Sequence, residues 1–303
     1  MPVNAWRDNA TLSSIEVVSN SLKSVGYLPS KQIATTVYLA ARLGKPILVE
    51  GPAGTGKTEL AKSTALATDS ELIRLQCYEG LDEAKALYEW NYRKQLLRIQ
   101  TDRISIESEN DGSSWDRLGN DIFQEGFLLE RPLLRAIRSE NPTVLLVDEV
   151  DRMEVETEAL LLELLSDFQV SVPELGTITA KQMPLVFLTS NGTRELSEAL
   201  KRRCLFLYID YPSPERELEI IGAKAPELDK ELGGQLVRFV AGLRALDLKK
   251  SPSISESLDW AHSLIEMGIG SLDAADVADT LHLLLKHRAD IEIATKELSQ
   301  GTR

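Results

Sequence analysis

Short apolar runs bounded by polar or turn-forming residues divide the first two thirds of the chain. Pro46-Ile47-Leu48-Val49-Glu50, Val144-Leu145-Leu146-Val147 and residues 184–189 are too short for buried helices and predict strands covered on both faces. Residues 71–76 and 205–209 predict two more strands. Helical spacing marks residues 9–25, 30–43, 59–67, 82–98, 127–138, 155–167 and 195–201. Gly44 closes the second of these helices and Pro46 opens the strand after it. Residues 168–180 alternate with period two around a turn at 173–176 and predict a β-hairpin. Residues 100–114 are polar and predict a surface loop. After Tyr211-Pro212-Ser213-Pro214 no further strand is predicted. Four helices are expected there, at 214–225, 229–246, 253–267 and 272–287, with a frayed end from about residue 297. The pattern gives an α/β domain over residues 1–212 and an all-helical domain over 213–303.

The first apolar run leads into Gly51-Pro52-Ala53-Gly54-Thr55-Gly56-Lys57-Thr58, which fits G-x-x-x-x-G-K-[ST] residue for residue. A strand precedes it and a helix former follows, the context a phosphate loop needs. Glycines let the loop turn its N–H groups inward, and the helix start adds positive potential for a polyphosphate. Lys57 is expected to reach the outer phosphates and Thr58 to bind Mg²⁺. The second buried run ends in Asp148-Glu149, at the strand end where parallel α/β sheets bind ligands. Asp148 is expected to hold Mg²⁺ through its water shell. Glu149 is expected to polarise the water that attacks the γ-phosphate. The third run ends in Ser190-Asn191, and Asn191 is a candidate to orient that water. The helix over 30–43 either touches the adenine or only packs.

Composition narrows the partners. The formal net charge of −13 argues against a general electrostatic grip on nucleic acid or anionic membrane. The two cysteines, Cys77 and Cys204, lack metal-knuckle spacing and suit a reduced, cytoplasmic protein. Of the three histidines, His262, His282 and His287, the last two are five apart and do not align as ligands on one helix face. No run approaches the roughly 18 apolar residues of a membrane span, and residues 1–8 carry no apolar leader core. Tyr88, Trp90 and Tyr92 form an aromatic cluster that reads equally as core or as a partner-facing surface. Leu232-Gly233-Gly234-Gln235 echoes a transporter-ATPase signature but follows the Asp148 strand instead of preceding it, and reads as part of a helix.

In this order the motifs resemble an AAA+ ATPase: phosphate loop, Asp-Glu strand, helix, hairpin, Ser-Asn strand, short helix with arginines, helical tail. The resemblance spans about residues 10–290. The hairpin over 168–180 is similar to the helix-2 insert of the MoxR family. Gln76-Cys77-Tyr78-Glu79-Gly80-Leu81 and Ala86-Leu87-Tyr88-Glu89-Trp90 resemble the branch linked to maturation of molybdenum-containing carbon monoxide dehydrogenase. The implied fold is a P-loop NTPase with a three-layer αβα core, a parallel sheet, a hairpin insert and a helical lid. The resemblance also implies ATP and Mg²⁺ as ligands, Asn191 as sensor 1, and Arg203 as the finger acting on a neighbouring subunit, with Arg202 as the alternative. A hexameric ring, a von Willebrand A-type adaptor and a metalloenzyme client follow from the same likeness, with metal-cofactor insertion as the end use. One departure stands out. The stretch matching the lid's sensor-2 position, Lys250-Ser251-Pro252-Ser253-Ile254-Ser255-Glu256, has no arginine, so either Lys249 or Lys250 substitutes or the lid couples differently.

Overall fold

The computed structural model describes residues 2–106, 123–173 and 175–301. Nine strands appear among them: β1 (Ile47–Glu50), β2 (Glu71–Gln76), β3 (Tyr88–Trp90), β4 (Leu128–Glu130), β5 (Thr143–Asp148), β6 (Gln169–Val172), β7 (Gly176–Thr179), β8 (Leu185–Ser190) and β9 (Leu205–Tyr208). Five form the main sheet, in the order β2-β5-β8-β1-β9. β2 pairs β5 in parallel from Glu71↔Thr143 to Gln76↔Asp148, and β5 pairs β8 in parallel from Val144↔Leu185 to Val147↔Leu188. Every residue of β5 and β8 is buried, as continuous apolar runs in a doubly covered parallel sheet require. This is an α/β, AAA+-type P-loop NTPase fold.

By contacts the chain forms two compact units. One comprises Met1–Val25, Pro29–Val49 and Ala61–Leu207; the other comprises Gly26–Leu28, Glu50–Leu60 and Tyr208–Arg303. The first is built around the sheet, with Ile73, Leu75, Leu145, Val147, Leu188 and the helix side chains Leu134, Leu161 and Leu164 in its core. The second has its own core of Leu236, Val240, Trp260, Leu264 and Leu281. Trp260 is fully buried and donates its indole N–H to Thr280 Oγ1 at 2.9 Å, so its polar atom is not stranded. Glu217 is buried there too, gripped by Arg244 at 2.5 and 2.9 Å and by Ser257 at 2.7 Å.

Several predicted elements take other forms. The helix expected over 9–25 splits into a 3-10 turn, Ala10–Leu12, and a helix, Ile15–Ser24, because Ser14 caps the latter through Val17 N. The helix expected over 82–98 becomes Glu83–Ala86, then β3, then Tyr92–Ile106. The one expected over 127–138 becomes β4 followed by Pro132–Arg138. β3 and β4 pair antiparallel, Tyr88↔Glu130 through Trp90↔Leu128, and Arg131 bonds Glu89 at 2.5 Å. Aromatic residues suit that extended pairing, and Asn91 then restarts the helix by accepting from Lys94 N at 3.0 Å. Pro132 sits in the first helical turn, the one place a proline opens a helix without breaking it. Trp90 is buried whereas Tyr92 is exposed. The loop expected over 100–114 is helical to Ile106, and its remainder, 107–114, lies outside the described residues. The hairpin is present as β6 and β7, with Glu174 of its turn outside the described residues. In the second unit a fifth helix, Arg288–Gly301, runs through the stretch expected to fray. Buried Asp290 in its first turn accepts from Lys249 N and Lys250 N at 2.8 and 3.1 Å. Leu232-Gly233-Gly234-Gln235 lies within the helix Lys230–Arg244.

Candidate functional site

The glycine loop leaves β1 and enters the helix Lys57–Ala67. Gly51 and Gly54 have positive φ, +153° and +74°. A Cβ on Gly51 would strike the carbonyl oxygen of Ile209, and one on Gly54 would strike Ser253 Oγ. Glycine is therefore required at both, by backbone angle and by space. Lys57 is buried and curls over the loop, donating to Gly51 O at 2.8 Å and Pro52 O at 2.6 Å. Thr55, also buried, donates to Pro52 O at 2.9 Å. Pro52 and Thr58 are half-buried, and Ala53 is exposed. Backbone N–H groups of Gly56 and the first helical turn have no intrahelical acceptor, the arrangement that receives phosphate oxygens. Ser253 caps the helix Ile254–Glu266, with Glu256 accepting from Ser253 N at 3.0 Å. Lys250, the proposed sensor-2 substitute, bonds Glu256 at 3.1 Å.

In the other unit, Asp148 ends β5 with only 4% of its side chain exposed. Thr189 Oγ1 donates to its Oδ1 at 2.5 Å. Arg74 Nη2 and Nε donate to its Oδ2 at 2.5 and 3.1 Å, and Nη2 also bonds Gln76 Oε1. Both oxygens of the buried charge are thus engaged, as burial demands. Glu149 follows in the left-handed region, φ +57° and ψ +50°. Its N–H donates to Thr189 Oγ1 at 2.9 Å, so one hydroxyl serves both acids. The Glu149 carboxylate is about one third exposed and pairs with Arg152 at 3.1 Å. A non-glycine residue in this conformation costs of order 1–3 kcal/mol and persists where its surroundings over-determine it, chiefly at functional sites.

Asn191 follows β8 and is half-buried. Its N–H donates to Asp151 Oδ2 at 3.2 Å, as do Thr193 N at 3.0 Å and Thr193 Oγ1 at 2.6 Å. Burial works to raise the Asp151 pKa, but these donors outweigh it and hold the carboxyl below its usual value. Asp151 Oδ1 is buried with no partner among the described residues. Arg194 extends the brace to Met153 O at 2.7 Å and buried Glu158 at 2.5 Å. Cys77 donates its N–H to Asp148 O at 2.8 Å. Burial first, then the nearby charges of Asp148, Asp151 and Glu149, push its thiol up to about 12.

The two candidate fingers differ. Arg203 is folded back, donating to Ala199 O at 2.9 Å and to Ser166 Oγ. Arg202 is exposed, and its side chain has no hydrogen bond or ion pair among the described residues. Asp148, Glu149, Asn191 and both arginines belong to the sheet-centred unit; Gly51 to Thr58 belong to the other. Sequence reasoning missed Arg74, Thr189, Asp151 and Arg194. Arg74 and Gln76, two apart on a strand, share a face by period two, a detectable signal. Thr189 and Asp151 gave none, since their roles need the β5–β8 neighbourhood. Among the described residues no group of three or more His, Cys, Asp or Glu side chains is placed to hold a metal ion, and no helix is long and apolar enough to cross a membrane.

Comparisons with known proteins bear on the fold and the family. An uncharacterized protein of Staphylococcus aureus (strain bovine RF122 / ET3-1) is 26% identical over 233 residues, 74% of this chain and 77% of its own. One from Staphylococcus haemolyticus (strain JCSC1435) is 25% identical over 232 residues, with the same coverage of both chains. Among solved structures, the Thermotoga maritima RuvB Holliday junction branch migration motor superposes with a TM-score of 0.50 at 16% identity, covering 94% of this chain and 74% of that one. A threonine-to-valine variant of that motor gives the same values. These last likenesses concern the fold. The description "ATPase family associated with various cellular activities (AAA)" matches residues 47–210, more than half of the chain, and the protein belongs to that family.

Proposed function

We propose that the protein hydrolyses ATP and uses the energy to remodel a partner protein, as a MoxR-type AAA+ chaperone. Glu149 carries the reading: a carboxylate is held in a costly backbone conformation beside the buried Asp148 by a single shared hydroxyl. Gly51, Pro52, Ala53, Gly54, Thr55 and Gly56 cradle the polyphosphate, and Lys57 turns from the loop carbonyls to its outer oxygens. Thr58 and Asp148 are oxygen ligands suited to Mg²⁺ and would hold it directly or through water. When bound, Mg²⁺ supplies neutralisation of phosphate charge. Glu149 accepts a proton from the attacking water, and Asn191 orients that water. Arg203 or Arg202 stabilises charge on the nucleotide of a neighbouring subunit. The exposed, uncommitted side chain of Arg202 favours it over Arg203.

Assembly into a hexameric ring, a von Willebrand A-type adaptor and a metalloenzyme client rest on the sequence resemblance, and cytoplasmic location rests on the two widely spaced cysteines. Glu149→Gln should lower ATP turnover by about 10²-fold or more while ATP still binds. Affinity capture with that variant under ATP should retain adaptor and client. Unchanged turnover would refute the hydrolysis scheme and leave a nucleotide-dependent scaffold. The likeness to RuvB in fold motivates one competitor, a nucleic-acid motor. The net charge of −13 opposes it, and strong stimulation of turnover by DNA would establish it.

A further inference from the structure

We infer that Arg74 is an internal counter-ion for Asp148 that competes with the divalent cation for its carboxylate. The inference deepens the proposed metal role of Asp148 and rests on it. In the register of the sheet Gln76 lies opposite Asp148 and Arg74 opposite Leu146. Residues two apart share a face, so Arg74, Gln76 and Asp148 point the same way. The guanidinium places two N–H groups on Oδ2 and ties Nη2 to Gln76 Oε1, while Thr189 takes Oδ1. A cation seeking this carboxylate meets an oxygen already holding a full positive charge.

The partners differ in freedom. The Asp148 side chain is 4% exposed and fastened at the strand end, whereas that of Arg74 is 46% exposed on a long flexible stem. Arg74 is the member able to leave, and the bond of Nη2 to Gln76 Oε1 is one it gives up when it does. Without a metal, Arg74 spares Asp148 the cost of a buried, unpaired charge. With a metal bound, the guanidinium is a repelling neighbour, and cation affinity is lower than the oxygen ligands alone would give. Arg74 is thus a positioning residue that tunes metal affinity.

The test uses Mn²⁺ in place of Mg²⁺. Free Mn²⁺ is followed by electron paramagnetic resonance during titration into the full chain saturated with ADP. Arg74→Gln should bind Mn²⁺ about tenfold tighter, equivalent to about 1.4 kcal/mol, and Arg74→Lys should stay within about threefold of wild type. Gln76→Met keeps both charges and removes only that bond to Nη2. It should shift affinity the same way by about threefold, which covers the case that Arg74→Gln does not fold. In EDTA, Arg74→Gln should melt below wild type, and Mn²⁺ with ADP should restore much of the difference. Unchanged or weaker Mn²⁺ binding in Arg74→Gln, or in Gln76→Met where Arg74→Gln is unfolded, overturns the inference. Asp148→Asn separates the two levels. If it loses Mn²⁺ while the Arg74 and Gln76 variants behave as wild type, only the counter-ion role fails. If it binds Mn²⁺ normally, the metal role of Asp148 fails and the counter-ion inference falls with it.

Discussion

Replacing Thr189 by valine tests the wiring of the acid pair directly. The two side chains have nearly the same shape, and Thr189 is 2% exposed, so no cavity opens and no surface changes. What disappears is one hydroxyl with two jobs: donor to Asp148 Oδ1 at 2.5 Å and acceptor from Glu149 N–H at 2.9 Å. Each buried group left without its partner costs about 1–3 kcal/mol, the carboxylate oxygen at the upper end. The sum is about 4–6 kcal/mol for the sheet-centred unit. A unit of this size shifts by about 2–4 °C per kcal/mol, so its calorimetric transition should fall by about 8–24 °C. Thr189→Ser restores both bonds and gives up one methyl, about 1 kcal/mol. ATP turnover should drop in the valine variant and recover in the serine variant. A valine variant melting within about 1 °C of wild type would refute the shared-hydroxyl account.

Three further outcomes are expected. Gly54→Ala should destabilise more than Gly80→Ala in urea titrations by at least about 1 kcal/mol. Both glycines have positive φ, but only at Gly54 does the new Cβ meet an atom, Ser253 Oγ. Asp151 has a depressed pKa in the folded state, so its stabilising contribution is present above its ordinary 3.8 and is lost as pH falls through the depressed value; Asp151→Asn should flatten the fall in stability below about pH 4. The thiols of Cys77 and Cys204 are both pushed up to about 12, mainly by burial, leaving about one part in 10⁴ as thiolate at pH 8; a chromogenic disulfide reagent should label neither until guanidinium is added, and then both.

Strands β1, β5 and β8 were legible because each is a continuous apolar run closed by a turn or a polar residue, a pattern a doubly covered strand must have. The phosphate loop, Asp148, Glu149 and Asn191 were legible for a related reason: each sits where such a run ends. Within the helices expected over 82–98 and 127–138, two strands were missed. β3 and β4 are three residues long, and their extended form is decided by Tyr88–Trp90 pairing with Leu128–Glu130, far along the chain. Helical periodicity in the flanking residues hides so short a strand. The helix Arg288–Gly301 was missed because its anchor, Asp290, makes its bonds to backbone N–H groups at 249 and 250. Thr189 and Asp151 share this difficulty. Each bonds a residue beyond its own segment, and nothing in spacing along one strand announces a partner on the next.

Two buried carboxylates stand within four residues of each other at and just beyond the end of β5, and each takes a donor from the segment that ends β8. Asp148 binds the side chain of Thr189; Asp151 binds the backbone of Asn191 and Thr193. Between them lies Glu149, whose left-handed turn is set by the same threonine. Asn191 lies between Thr189 and Thr193 on the facing segment. Neither proposed catalytic side chain can shift its backbone without breaking a bond made by the other strand's tip. Burying two charges is costly, and packing alone would have been served by apolar residues. The arrangement is accounted for if the two strand ends must move as one piece, so that the group orienting a water and the group taking its proton keep their relation while the nucleotide changes. The proposed counter-ion, Arg74, attaches β2 to that piece through Oδ2 of Asp148, which brings a third strand tip under the control of whatever cation occupies the site.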